Sequence, residues 1–335
     1  MNATADPRLV VQAAPFLHPT VSTPRIMGDV LIALAPALAA GVWFFGLSAL
    51  LVVLAATAAC VATEWALAGR AQLRDLSAVV TGVLVGLILP PSLPLWMAAL
   101  GGFVAIALGK VAWGGLGTNL FNPALVGRAF LQAAFPIALT TWVPPQGLLA
   151  LYRGNLALPF LQAPADAVTA ATPLGQMKFL AAGTPLADLF WGNVAGSIGE
   201  TSAAALLLGG FYLLARRAFD WRLPVGMLGA AALLAEIIHQ VHPEKYPGAL
   251  FTLLSGGLLI GAIFMASDPV TSPISPLGAW IFAAGAGVLV VLIRFWGGLP
   301  EGVMYAILLM NSASPLIDRA LQPRRFGSRP VKESR

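Results

Sequence analysis

Cysteine and histidine, the side chains that most often hold transition metals and iron–sulfur clusters, are nearly absent. One cysteine, Cys60, and three histidines, His18, His239 and His242, are all that 335 residues contain. A lone cysteine excludes an internal disulfide and a cysteine-ligated cluster. The scattered histidines are too few for a histidine-rich redox centre. Charge is scarce too: Asp, Glu, Lys and Arg make up 10% of the chain, against about 25% in soluble domains. So little charge excludes a solvated disordered chain, and too few polar residues remain to cover one soluble core. No glycine-rich nucleotide loop is present. The net charge of +5 is not gathered on polar amphipathic segments, so nothing points to nucleic acid.

Apolar residues are abundant, at 58%, with a mean hydropathy of +0.83. This is the composition of an all-α polytopic membrane protein, since a spanning helix needs about 20 mostly apolar residues. Residues 1–25 are polar and proline-punctuated, without the charge, short apolar run and small-residue site of a cleavable signal. Spans are predicted at 26–47, 49–68, 76–89, 95–113 and 123–142, then at 194–214, 224–241, 247–266, 277–296 and 302–321. The organisation expected is an N-terminal segment 1–25, a first transmembrane repeat 26–142, a large loop 143–193, a second repeat 194–321 and a basic tail 322–335. Within the loop, Leu186–Trp191 reads as a short interfacial helix.

With ten spans and the N-terminus inside, fourteen of the nineteen Lys and Arg residues fall on the cytoplasmic side. Only Arg153, Lys178, Lys245 and Arg294 fall outside, and Arg128 sits within a span. The positive-inside rule therefore puts both termini in the cytoplasm and the 143–193 loop outside. An internal echo accompanies this count. Gly-rich Thr81–Gly86 and Ser255–Gly261 are each followed by a proline-rich break, an apolar span and Trp-Gly-Gly-Leu, at 113–116 and 296–299. Each is then followed by a span with asparagine and proline, Asn122-Pro123 and Asn311 with Pro315. Five spans per half would insert with opposite polarity, the inverted-repeat plan of many transport proteins.

Three features invite a chemical reading. The loop carries Asp166-Ala-Val-Thr169-Ala170-Ala171-Thr172-Pro173-Leu174. Pro173 pushes Thr172 toward an extended conformation that presents its hydroxyl, and the same residues also suit a plain turn or cap. The breaks at Gly114–Pro123 and Asp268–Pro276 read either as surface loops or as a central site, where non-helical backbone lines a ligand or ion. Asn119, Asn122 and Asp268 are its candidate polar lining, and Arg128 is grouped with them as a candidate for cofactor or ion binding. The ionisable residues in or beside spans are Asp29, Glu64, Arg128, Glu200, Glu236, Asp268 and Asp318. Of these, Glu64 reads as an interfacial partner of Arg70 and Arg74, Glu236 as buried, and Arg128 as a deep cation able to offset a carboxylate or a cofactor charge. No residue reads as a catalytic group or a metal ligand. Cys60 is a small apolar filler, and the nine tryptophans read as interface anchors.

The loop segment resembles the flavinylation motif D-x-x-[ST]-G-A-T of the RnfD subunit of the Rnf electron transport complex and of its counterpart in the sodium-translocating NADH:quinone reductase, with Ala170 in place of the usual glycine. The resemblance continues through Trp113-Gly-Gly-Leu-Gly-Thr-Asn119-Leu-Phe-Asn122-Pro123-Ala124, Ser267-Asp268-Pro269-Val270-Thr271, Gly297–Val303, Leu309–Asp318 and the N-terminal Ala14–His18 and Arg25–Met27. It covers about residues 14–327, and the length favours the Rnf protein. The resemblance implies FMN esterified through its phosphate to Thr172 by a separate flavin transferase, with Asp166 and Thr169 completing the motif. It also implies a second, non-covalent flavin, riboflavin, within the bundle. The implied function is a flavin-carrying subunit of an inner-membrane, ion-translocating ferredoxin:NAD oxidoreductase. Partner subunits would bring the iron–sulfur and NAD sites, so that ferredoxin and NAD are met indirectly. Two other classes remain: a solute or ion transporter without redox chemistry, and the quinone reductase counterpart itself.

Overall fold

The computed structural model describes residues 22–159, 170–180 and 182–321, and among these every regular element is helical. Asp166, Thr169, most of the 1–25 segment and the 322–335 tail lie outside the described residues. Four stretches are long and apolar enough to cross a bilayer: Thr23–Ala68 (α1), Leu95–Trp113, Arg222–Val241 and Pro276–Trp296. Of the other expected spans, that at 302–321 is one continuous 18-residue helix of lower hydropathy, and the rest are shorter or interrupted.

The spans expected at 26–47 and 49–68 are one 46-residue helix, α1, bent at Gly46, where φ is 68°. The bend frees backbone groups that must find partners, and residues 146–152 supply them. The N–H groups of Gln146 and Gly147 donate to Phe44 O at 3.1 and 3.0 Å, and Ser48 N donates to Ala150 O at 3.2 Å. A Cβ on Gly46 would fall 2.4 Å from Ala150 N, so both the backbone angle and the close approach require glycine.

Ser77–Leu87 (α2) and Leu95–Ala107 (α3) pack on α1. Gly82 and Gly86 bring α2 so close that a Cβ would lie 2.4 Å from Thr57 Cα and 2.6 Å from Val53 Cα. Such small-residue contacts are how helices associate where lipid removes the hydrophobic drive. The span expected at 123–142 breaks into Pro123–Ala134 (α4) and Pro136–Thr140 (α5). Pro136 forces this, because the residue before proline leaves helical geometry, here Phe135 at φ −134° and ψ 58°. The loop holds Pro173–Leu180 (α6) and Leu186–Trp191 (α7), the latter as expected.

In the second half, the span expected from 194 becomes regular only at Ala203–Arg216 (α8). Residues 197–202 before it are buried non-helical backbone, fixed by Ile198 N to Leu89 O and Gly199 N to Leu87 O at 3.2 and 2.7 Å. Arg222–Val241 (α9) packs against Pro276–Trp296 (α12), and α12 against Val303–Ala320 (α13). The span expected at 247–266 is broken into Ala249–Leu254 (α10), Leu258–Ile260 (α11) and a π-helical turn at Gly261–Met265. Gly256, at φ +62°, separates the pieces. The Trp-Gly-Gly-Leu echo does not extend to local conformation. Gly114 and Gly115 have φ near +105°, whereas Gly297 is extended at φ −70°.

Candidate functional site

Among the described residues, two clefts flank α4, one at its N-terminus and the other along Leu125, Arg128 and Gln132. The first, about 780 Å³ including its mouth, lies between the halves. Ser77, Thr81, Lys110, Asn119 and Asn122 line it from one side, and Ser267 and Asp268 from the other. The structure thus gathers the two interrupted segments and all three candidate residues at one place, though not in equal roles. Asn122 is the N-cap of α4: its Oδ1 accepts from Ala124 N and Leu125 N at 3.0 and 3.4 Å, and its amide donates to Met265 O at 3.3 Å. Its polar atoms are therefore committed to structure. Asp268 accepts from Val270 N and Thr271 Oγ1 in its own turn. Asn119 differs. Its amide donates to Phe121 O, but its buried Oδ1 has no partner. A buried acceptor left unpaired costs about 1–3 kcal/mol, so this atom is poised for a ligand donor.

Beside this cleft, Lys110 is buried against Glu64. Its ammonium also donates to Ser77 Oγ at 2.5 Å and lies 3.9 Å from Asp75. Glu64 therefore does not partner Arg70 or Arg74: a deep lysine reaches it first. The sequence places Lys110 among the loop cations, but the 3₁₀ turn that ends the 95–113 stretch folds it inward.

The second cleft, about 660 Å³, is lined by Arg128, Trp142, Thr172, Glu200, Glu301 and Tyr305 among others. Arg128, six residues along α4 from Asn122, donates Nη1 to Glu200 Oε1 at 3.0 Å and Nη2 to Glu301 Oε2 at 2.6 Å. Arg128 thus belongs with Thr172, not with the asparagines. About 9 Å of helix separates its position from Asn122.

Thr172 caps α6: its hydroxyl accepts from Gly175 N at 3.1 Å and its carbonyl from Gln176 N at 2.8 Å. It is 6% exposed, so the expectation of a freely presented hydroxyl is corrected. Lys178, on the same helix, donates to the carbonyls of Arg294, Gly297 and Leu299 at 2.8, 2.6 and 3.0 Å, capping the end of α12 with a cation. Burial pulls its ammonium below the ordinary lysine value. Arg294 is buried in turn, donating to Thr252 O and Ser255 O.

The remaining ionisable candidates serve local structure. Asp29 accepts from Tyr212 and Arg216 at 3.0 and 3.2 Å, Glu236 from Ala249 N at the start of α10, and Asp318 from Ile274 N. Glu236 is half-buried rather than buried. Cys60 is a buried filler bonded to Gly102 O. Sequence reasoning does not single out Lys110, Lys178 or Glu301. Each lies far in sequence from its partner, and only the position of Glu301 in Gly-Gly-Leu-Pro-Glu-Gly hints at use.

Residues 10–327 match the NQR2, RnfD, RnfE family. The chain belongs to that family. It is 43% identical to the D subunit of the ion-translocating oxidoreductase complex of Stutzerimonas stutzeri, over 91% of this chain and 92% of that one. It is 41% identical to the D subunit of the proton-translocating ferredoxin:NAD(+) oxidoreductase complex of Clostridium ljungdahlii, over 95% and 96%. With the D subunit of the Na(+)-translocating ferredoxin:NAD(+) oxidoreductase complex of Acetobacterium woodii it shares 39% identity, over 97% of each. The family and the apolar helices make this a multi-pass membrane protein of the RnfD type.

Proposed function

We propose that the chain is the flavin-carrying membrane subunit of an ion-translocating ferredoxin:NAD oxidoreductase, with FMN joined through its phosphate to Thr172. The observation that carries the reading is the seat of that hydroxyl. It lines a cleft with Arg128 and caps the N-terminus of α6, where backbone N–H groups favour an anion. FMN bound there supplies one-electron chemistry. The protein's own part is positional and electrostatic. Arg128 gives the cleft a cation, Glu200 and Glu301 fix its guanidinium fork in place, and Lys178 anchors the helix that carries Thr172.

The first cleft suits a second, non-covalent flavin such as riboflavin. Asn119 Oδ1 is a vacant acceptor for a hydroxyl or ring N–H, and Lys110 is the cation nearby. α4 carries residues of both clefts, with Asn122 and Arg128, which would face the two groups, about two helical turns apart. Iron–sulfur and NAD sites then belong to partner subunits, and ion movement is coupled within the assembly.

The inverted repeat is supported by the packing order. The second part of α1 with α2, α3 and α4 parallels α9 with α10, α12 and α13. Placement in a bacterial inner membrane, with both termini cytoplasmic and 143–193 periplasmic, rests on the Lys and Arg distribution. It survives removal of the buried Lys110 and Arg294 from the count, which leaves thirteen against three. Coverage above nine-tenths of the RnfD-type relatives favours this reading over the quinone reductase counterpart.

The test is in-gel flavin fluorescence of the denatured subunit from cells that contain the flavin transferase. Fluorescence on the wild-type and Thr172→Ser bands, absent from Thr172→Ala, supports the proposal. A dark wild-type band overturns it.

A further inference from the structure

Outside both clefts, a shallow groove of about 1120 Å³, open space included, runs along the exposed side of α1. Leu54, Thr57, Ala58, Val61, Ala62 and Trp65 form its floor. These are consecutive positions of one helical face, spaced three and four apart. Ala58 and Ala62 make the depression, while Leu54 and Trp65, each about half exposed, wall its ends. The hydroxyl of Thr57 is turned back to Val53 O at 2.8 Å, so that residue adds no free polar group. From 54 to 65 the floor is about 16 Å long, close to the thickness of one leaflet of a hydrocarbon core of about 30 Å.

One end of the groove is chemically different. Past Gly69 the chain turns, and Arg70 and Leu73 close the groove. The Arg70 guanidinium stands 5.7 Å from the Trp65 ring centroid, and Arg74 is exposed one turn further on. Among the described residues neither arginine has a carboxylate within ion-pair distance, in contrast to Lys110, Arg128, Arg216 and Arg222. A hydrocarbon channel of one-leaflet length that ends at tryptophan and unpaired arginines matches an acyl chain below an anionic headgroup. A helix of another protein would fill the channel equally well but would leave the guanidinium uncompensated unless it brought a carboxylate. We propose that the groove is a binding site for one anionic glycerophospholipid, its acyl chain along residues 54–65 and its phosphate at Arg70.

The test is native mass spectrometry of the purified complex, delipidated and then offered phosphatidylglycerol and phosphatidylcholine in equal amounts. Binding of phosphatidylglycerol should exceed that of phosphatidylcholine about fivefold, the effect of about 1 kcal/mol for one basic residue near a surface. Arg70→Gln should remove one bound phosphatidylglycerol per complex and leave phosphatidylcholine unchanged. Ala58→Phe, which fills the channel, should remove the lipid whatever its headgroup. An equal count of bound phosphatidylglycerol in wild type and both variants overturns the proposal. So does efficient disulfide cross-linking of Ala62→Cys to cysteines introduced in a partner subunit, which would mean that protein occupies the groove.

Discussion

Asn311 accepts a hydrogen bond at 3.2 Å from the backbone N–H of Asn122, a residue 189 positions earlier, and its own amide donates to Thr271 O at 3.3 Å. Asn122 in turn donates to Met265 O. Two asparagines, each following a Trp-Gly-Gly-Leu, thus tie the first interrupted segment to the second where non-helical backbone has no water to satisfy it.

Replacing that bridge should loosen the junction of the halves. Asn311→Ala leaves a buried N–H and a buried carbonyl without their partner, at about 1–3 kcal/mol each. The purified protein should lose several degrees of thermal stability in detergent, read by fluorescence-detected size exclusion. An unchanged midpoint would mean that the bridge contributes nothing.

Lys110 and Glu64 make a second prediction. Removing one member of a buried pair strands the other charge, at about 3–5 kcal/mol, while replacing both with neutral groups is far milder. Lys110→Met should therefore be severely destabilised, and the double variant Lys110→Met with Glu64→Gln should recover most of the loss. Additive penalties in a double-mutant cycle would contradict the pairing.

At the Thr172 cleft, Arg128→Met removes the cation between two carboxylates. An electron added to a neighbouring flavin then meets uncompensated negative charge, so the reduction potential should fall, by about 60 mV for each 1.4 kcal/mol of lost stabilisation. Adding Glu200→Gln should return part of the shift. Spectroelectrochemical titration of the covalent flavin measures both, and an unchanged potential would separate Arg128 from the cofactor.

The burial of Thr172 makes a prediction about order. A threonine 6% exposed, whose hydroxyl already caps a helix, is poorly placed for a transferase, so attachment should precede docking of α6. Lys178→Gln, which loosens the three contacts to the end of α12, should speed flavinylation of preformed, unmodified complex severalfold in a time course with transferase and FAD. Equal rates in wild type and variant would mean that docking does not limit access.

The long apolar helices and the short Leu186–Trp191 helix are legible in the sequence because hydrophobic length and flanking prolines are local signals. So are the two interrupted segments, through Gly114–Gly117 and Asp268-Pro269. The bend at Gly46 is not legible, because it exists only where residues 146–152 bond to it. Nor is the irregular backbone at 192–202, which is fixed by bonds to Leu87 and Leu89 at the end of α2. The same limit applies to charge. Glu64 stands six residues from Arg70 but pairs with Lys110, 46 residues away, because burial rather than sequence distance selects the partner. Asn119, Asn122 and Asp268 emerge as a set from their place in the two breaks. Its place within a span marks Arg128 as a deep cation, but grouping it with those three does not hold, since position along a span does not say which cavity a side chain enters.

The central claim is a phosphodiester at Thr172, and peptide-mapped mass spectrometry of the protein from an active complex tests it most directly. The peptide containing Thr172 should be heavier by one FMN less one water, and the increment should disappear in Thr172→Ala. An unmodified Thr172 peptide from a complex that still passes electrons from ferredoxin to NAD would contradict it.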